Sequence, residues 1–229
     1  PGGLHIRWPD HALEQEARLM HYKWYAALAY IRANRLNYNA IESRNDRFGL
    51  IASGKAWNDL RQALLDLGLD DDTCRQLGIR LHKVGVVWPL EAQLTRDFAT
   101  GLSEILVVEE KRQVIEYQLK EELYNWRADV RPNVLGKFDE VQGDFSGGEW
   151  SMPNPTAHEL LRANADLLPA LIARALAHRL QRNRVLEAGG ADMVARVQAQ
   201  LAILEAKERS MQVLNAGGGT AGADRQPWF

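Results

Sequence analysis

The stretch Glu104–Glu140, EILVVEEKRQVIEYQLKEELYNWRADVRPNVLGKFDE, decides the fold class of this chain. An apolar run, Ile105–Val108, ends on two carboxylates, Glu109 and Glu110, and an amphipathic pattern follows. That order is a strand feeding a helix, with acidic groups where the positive end of the helix dipole favours them. Ile115, Leu119 and Leu123 recur every four residues and share one face, which Val114 and Trp126 widen. Glu116 and Lys120 are spaced for a surface ion pair. After Pro132, Val134-Leu135 opens a second short strand running toward Phe138.

Working toward the amino terminus, the same alternation repeats. Phe48–Ser53 reads as a strand ending at Gly54, and Trp57–Leu67 as a helix with Leu60, Ala63, Leu64 and Leu67 inward. Arg80–Val87 reads as a further strand closed by Trp88-Pro89, with Pro89 in the first turn of a helix over 90–101. Strands separated by helices of this length imply right-handed crossovers and a mainly parallel sheet covered on both faces. Residues 1–9 read as an extended lead-in, and Asp10 as the cap of a helix reaching Arg35. Leu13, Met20, Trp24, Ala27, Leu28 and Ile31 form its apolar side, and Tyr22, Tyr25 and Tyr30 make it broad enough for two neighbours.

Toward the carboxyl terminus, Gly143–Pro155 reads as a loop, followed by helical patterns at 156–163, 166–187 and 191–215. Asp166 is the expected cap of the second, with Leu168, Leu171, Ile172, Ala175 and Leu176 inward. The third carries Met193, Val197, Leu201, Leu204, Met211 and Leu214, and Gly189-Gly190 joins the two into a hairpin. Residues 216–229, with four glycines, read as a linker. Pro1, and Phe229 behind this run, suggest a piece of something larger.

The 229 residues, 46% hydrophobic and 25% charged, suit an ordinary globular chain with one sizeable core. A net charge of −2 gives no reason to expect nucleic acid or an anionic membrane as partner. No apolar run approaches the roughly 20 residues that span a bilayer, and His5, Arg7 and Trp8 stand where a signal peptide would be apolar. The single cysteine excludes an internal disulfide and a cysteine-held cluster, and fits a reducing compartment. Cys74, in an expected helix over Asp72–Leu77, reads as a small buried hydrophobe.

Complete motifs of chemistry are absent from the sequence. Ser53-Gly54-Lys55 sits at a strand-to-helix turn able to hold an anion, but Ala56 stands where a phosphate loop needs Ser or Thr. A tight turn with an exposed lysine is the simpler reading, and a nucleotide- or anion-binding module is the alternative. His158-Glu159 begins like a zinc-protease helix, yet Arg162 replaces the second histidine. Glu109 and Glu110 lie at a strand's carboxyl end, where open sheets bind ligands. A capping or docking role for them is the commoner outcome. A third reading is a scaffold whose terminal helices self-associate.

Taken together, RFGLIASGKAWNDLRQALLDLGLD (47–70), LGIRLHKVGVVWPLE (77–91), ILVVEEKRQVIEYQLKEELYNW (105–126) and VRPNVLGKFDE (130–140) resemble the large indolepyruvate ferredoxin oxidoreductases. These are fused-chain members of the 2-oxoacid:ferredoxin oxidoreductases, and the phrases cover most of 47–140. The resemblance implies a transketolase C-terminal-like α/β domain. Its three αβα layers would hold a mixed, mainly parallel five-stranded sheet, with extra N- and C-terminal helices. With the residue patterns it gives an expected division into 1–46 (lead-in and connector helix), 47–187 (the α/β domain), 188–215 (an added helix) and 216–229 (a linker).

For the parent it implies oxidative decarboxylation of aryl 2-oxoacids to acyl-CoA. The means would be thiamine diphosphate, Mg, 4Fe-4S clusters and coenzyme A as co-substrate, with electrons passing to ferredoxin. A cytoplasmic homodimer is implied as well. All catalytic and cofactor-binding groups would lie outside this domain, with cysteine-rich sequence expected soon after Gln226-Pro227-Trp228-Phe229. The loops after Ser53, Val87 and Glu109 share one sheet edge. Lys55, Trp88, Glu109, Glu110, Lys111 and Arg112 are therefore the expected domain-interface residues.

Overall fold

The computed structural model describes His5, Trp8 and residues 10–139, 159–161 and 166–217. The expected loop Gly143–Pro155, His158, most of the pattern at 156–163 and the linker beyond 217 lie outside the described residues.

Five strands form one sheet: β1 (Asn37–Ile41), β2 (Phe48–Ser53), β3 (Ile79–Val84), β4 (Glu104–Val108) and β5 (Asn133–Leu135). Their order is β1-β3-β2-β4-β5. The β2·β3, β2·β4 and β4·β5 pairs are parallel, and β1 runs antiparallel to β3. The sheet is mixed and mainly parallel, as expected.

Period-two alternation divides the strands between two cores. Phe48, Leu50, Ala52, Leu81, Leu106 and Val108 face α3 (Gly54–Asp66), α4 (Asp71–Leu77), α7 (Pro169–Arg182) and the start of α8 (Ala191–Gly217). Ile51, Val84, Ile105, Val107 and Val134 face α5 (Ala92–Ala99) and α6 (Ile115–Leu123). Helices cover both faces of the sheet, so the fold is a three-layer αβα sandwich.

Several elements depart from the sequence reading. β1 lies between the expected connector helix and the expected α/β domain, where the sequence reading places no strand; its two asparagines conceal a strand stabilised by pairing with β3. Strand β3 stops at Val84, because the Asn37 Oδ1 takes the amides of Gly85 and Val86 at 2.9 and 3.0 Å, which turns the chain away. Glu91, not Pro89, opens the next helix: its carboxylate accepts from the Leu94 amide at 2.7 Å. Asp166 caps nothing. Pro169 occupies the first turn of α7, and Leu168 before it is extended and 55% exposed rather than inward. α7 ends at Arg182, a 3₁₀ turn over Val185–Gly189 follows, and α8 runs on through Gly217.

The amino-terminal helix starts one residue later than expected. His11, not Asp10, caps α1 (Ala12–Arg18), which continues through a π turn (Leu19–Lys23) into α2 (Trp24–Ala33). Only Ile31 is buried along this whole rod. Arg32 fastens its end to the domain through Glu91 Oε1 at 2.6 Å.

Candidate functional site at the carboxyl edge of the sheet

Because β2, β3 and β4 are parallel, the segments leaving Ser53, Val84 and Val108 emerge at one edge. The six expected interface residues divide there by chemistry.

Lys55 and Glu110 meet. The Lys55 Nζ donates to Glu110 Oε1 at 2.7 Å, to Asp59 Oδ2 at 2.6 Å and to the Leu167 carbonyl at 3.0 Å. Glu110 Oε1 also accepts from the Leu167 amide at 3.3 Å. Three chain segments, the start of α3, the loop after β4 and the approach to α7, are thus tied at one point. Asp59 and then Glu110 hold the ammonium above its usual value, and Lys55 pulls the Glu110 carboxyl below its own. The Ser53 hydroxyl makes no capping bond to α3, while Gly54 takes a positive φ of 55° that lets the strand turn into the helix.

Glu109 does different work. Its Oε2 accepts from the amides of Val114 and Ile115 at 3.0 and 2.9 Å, and its Oε1 from Glu116 at 3.1 Å. The orphan donors of α6 are satisfied by a carboxylate five to seven residues upstream. Burial pushes the Glu109 carboxyl up, outweighing the three amides that pull it down. Beside it lies Lys137, 1% exposed, whose Nζ donates to the Glu109 carbonyl and whose amide donates to Glu116 Oε2 at 3.3 Å. Burial holds the Lys137 ammonium below its usual value despite Glu109 and Glu116.

Glu116 is 2% exposed and accepts from Lys120 at 2.7 Å, so the expected surface pair is a half-buried one. It closes a cluster that the sequence reading missed. For Glu116 the signal was available, since it and Lys120 stand beside the buried Ile115–Leu119–Leu123 stripe.

Trp88 is exposed and packs edge-on against Trp24 of α2, with ring centroids 4.7 Å apart. Lys111, at φ 55°, and Arg112 form the exposed turn between β4 and α6. Gln118 binds the Val87 and Val114 carbonyls at 2.8 and 2.9 Å, which brings the β3–α5 and β4–α6 loops together.

At the opposite edge, Arg179 is buried and grips Glu104 through Nε and Nη2 at 2.8 and 2.6 Å. Its Nη1 reaches Asp139, and Asn183 adds a bond to Glu104 at 2.9 Å. Arg179 sits three and seven residues beyond Leu176 and Ile172, on the buried face of α7, which was the sign of a paired interior charge. Among the described residues no group of three or more His, Cys, Asp or Glu side chains is placed to hold a metal ion.

Fold and site together define an α/β domain, an open αβα sheet whose carboxyl-edge acids bond to the chain's own amides and lysine. Residues 37–214 match the family described as "Indolepyruvate ferredoxin oxidoreductase middle domain", and the chain belongs to that family.

Curated relatives are indolepyruvate oxidoreductase subunits IorA. The Thermococcus kodakarensis protein is 32% identical over 93 residues, covering 40% of this chain and 13% of its own length. Those of Methanothermobacter thermautotrophicus and Methanothermobacter marburgensis are 32% identical over 127 residues and 36% over 104. They cover 54% and 45% of this chain and 19% and 15% of their own lengths. The matched part is therefore under a fifth of each relative. A solved structure titled "Split gene transketolase, inactive beta4 tetramer" aligns with 72% of this chain and 41% of its own, at 14% identity and a TM-score of 0.33. The fold rests on the strand order and layers described above and draws nothing from that likeness. No helix among the described residues is long and apolar enough to cross a membrane.

Proposed function

We propose that this domain is a non-catalytic organiser within a cytoplasmic, thiamine-diphosphate-dependent, indolepyruvate-type 2-oxoacid:ferredoxin oxidoreductase. The parent would oxidatively decarboxylate aryl 2-oxoacids to acyl-CoA, using Mg and 4Fe-4S clusters held by its other domains and passing electrons to ferredoxin. The carboxyl edge of this sheet would dock those domains, with Trp88, Lys111 and Arg112 outward and Lys55 and Glu110 holding the seam in shape.

One observation carries this reading. Glu109 spends both carboxylate oxygens on the Val114, Ile115 and Glu116 amides, and Glu110 spends Oε1 on Lys55 and the Leu167 amide. A general acid or a cofactor ligand needs those oxygens for its substrate. The residues also fit a cluster poorly, since Cys74 is wholly buried among apolar side chains.

The same bonding weighs against an anion site at Ser53-Gly54-Lys55, where the lysine is already engaged three times. The test is calorimetric titration of the isolated chain with thiamine diphosphate and Mg. No binding is expected, and micromolar affinity would overturn the proposal. Adding the remaining parent polypeptide in trans should give a complex that Trp88→Glu weakens.

A further inference from the structure

The rod from Ala12 to Tyr30 is an anomaly of packing. α1 and the π turn carry no buried side chain, and α2 has only Ile31. Helices in proteins gain most of their stability from an apolar face packed against something. This one has such a face. Ile31 is buried and Trp24 and Leu28 are half-buried against the domain, but Met20 and Leu13 further along the rod are 53% and 67% exposed. Leu19, Tyr22 and Tyr25 are exposed beside them. The apolar stripe continues past the point where the domain stops covering it.

The charges along the rod are segregated. Glu14 and Glu16 lie in its first turns and Lys23 at the end of its π turn, and none of the three forms an ion pair among the described residues. A rod acidic at one end and basic further along complements its own reverse. With a two-fold axis between Leu19 and Met20, Glu16 of one copy lies opposite Lys23 of the other, and the Met20 side chains meet at the centre. An isologous interface needs this self-complementarity.

We infer that the rod Ala12–Tyr30 is a self-association surface that pairs antiparallel with the same rod of a second copy of this chain. Met20, Leu19 and Leu13 form its apolar seam, and reciprocal Glu16–Lys23 pairs set its register. This surface is separate from the carboxyl edge proposed for docking, and its fate does not depend on that reading.

Sedimentation equilibrium of the 229-residue chain over the micromolar range at low salt tests the inference. A monomer–dimer equilibrium is expected that Met20→Glu abolishes. Glu16→Lys or Lys23→Glu alone should weaken it roughly tenfold, since each reversal sets two like-charge pairs face to face. The double variant Glu16→Lys/Lys23→Glu should restore it, because the swapped charges again find their opposites. Circular dichroism confirms that each variant keeps its helix. A monomer at every concentration would overturn the inference and leave the rod to another part of the parent. A dimer indifferent to Met20→Glu, or one that the double swap does not restore, would overturn it equally.

Discussion

The α-carbon of Gly136 faces the Glu116 carboxylate so closely that a methyl group on it would stand 1.9 Å from Oε2. Glu116 has little freedom to retreat, because its oxygens hold Lys120 and the Lys137 amide. Overpacking of a filled interior costs about 1–3 kcal/mol. Gly136→Ala should therefore destabilise the domain by about 2 kcal/mol in urea unfolding, and Glu116→Ala in the same chain should recover part of the loss. A neutral Gly136→Ala would mean that the Glu116 side chain rests elsewhere.

Arg179 stands between two buried carboxylates, Glu104 and Asp139. Removing one partner of a buried ion network leaves uncompensated charge and costs about 3–5 kcal/mol. Arg179→Met should lower the urea midpoint accordingly, whereas Arg179→Lys keeps the charge, loses the two-pronged grip on Glu104 and should fall between. A loss below about 1 kcal/mol for the methionine variant would show that the network contributes nothing net.

His82 gives the domain an acid-sensitive limb. Its Nδ1 lies 2.7 Å from the Asn39 Oδ1, its Nε2 is buried without a partner, and the ring stacks near Phe98. Asn39 Oδ1 only accepts, so Nδ1 carries a proton, and the buried, unpartnered Nε2 disfavours a second one. Burial, assisted by Arg80, lowers the imidazole from 6.5 to about 3. The unfolded chain takes up a proton below 6.5 that the folded chain refuses, so this contribution is whole above that pH and shrinks as pH falls toward 3. The loss by pH 5 is about 2 kcal/mol. Glu109, shifted upward, acts in the opposite sense, so the clean measure is the difference between the parent and His82→Gln. An identical pH profile for both would refute the assignment.

Cys74 lies wholly buried on the inner side of α4, and burial pushes its thiol up to about 12. Native protein at mildly alkaline pH should resist iodoacetamide and react at the speed of a free thiol only in denaturant. Rapid labelling of the folded chain, followed by mass spectrometry, would contradict this placement.

The elements legible in the sequence were those whose side chains alone demand burial. The β2 strand reads straight from Phe48–Ser53, and the Leu60–Ala63–Leu64–Leu67 face of α3 is buried as its spacing requires. β1 was not legible, because Asn37 and Asn39 earn their places through partners distant in sequence, the Gly85 and Val86 amides and His82. The start of α7 was misread by giving Asp166 the cap when Pro169 already marked the first turn. At the carboxyl edge, the parallel strands made the meeting of Lys55 and Glu110 foreseeable. Lys137 was not foreseeable, since nothing local says that its ammonium turns inward to the Glu109 carbonyl just past β4.

The two margins of the sheet bear on how such a domain joins its neighbours. β5 has three residues, and β1 is a short strand whose register slips between Asn39 and Ile41. Brief or irregular border strands discourage foreign chains from zipping onto a ladder. Another polypeptide is thereby steered away from extending this sheet, and is left the helices and loop side chains as its means of recognition.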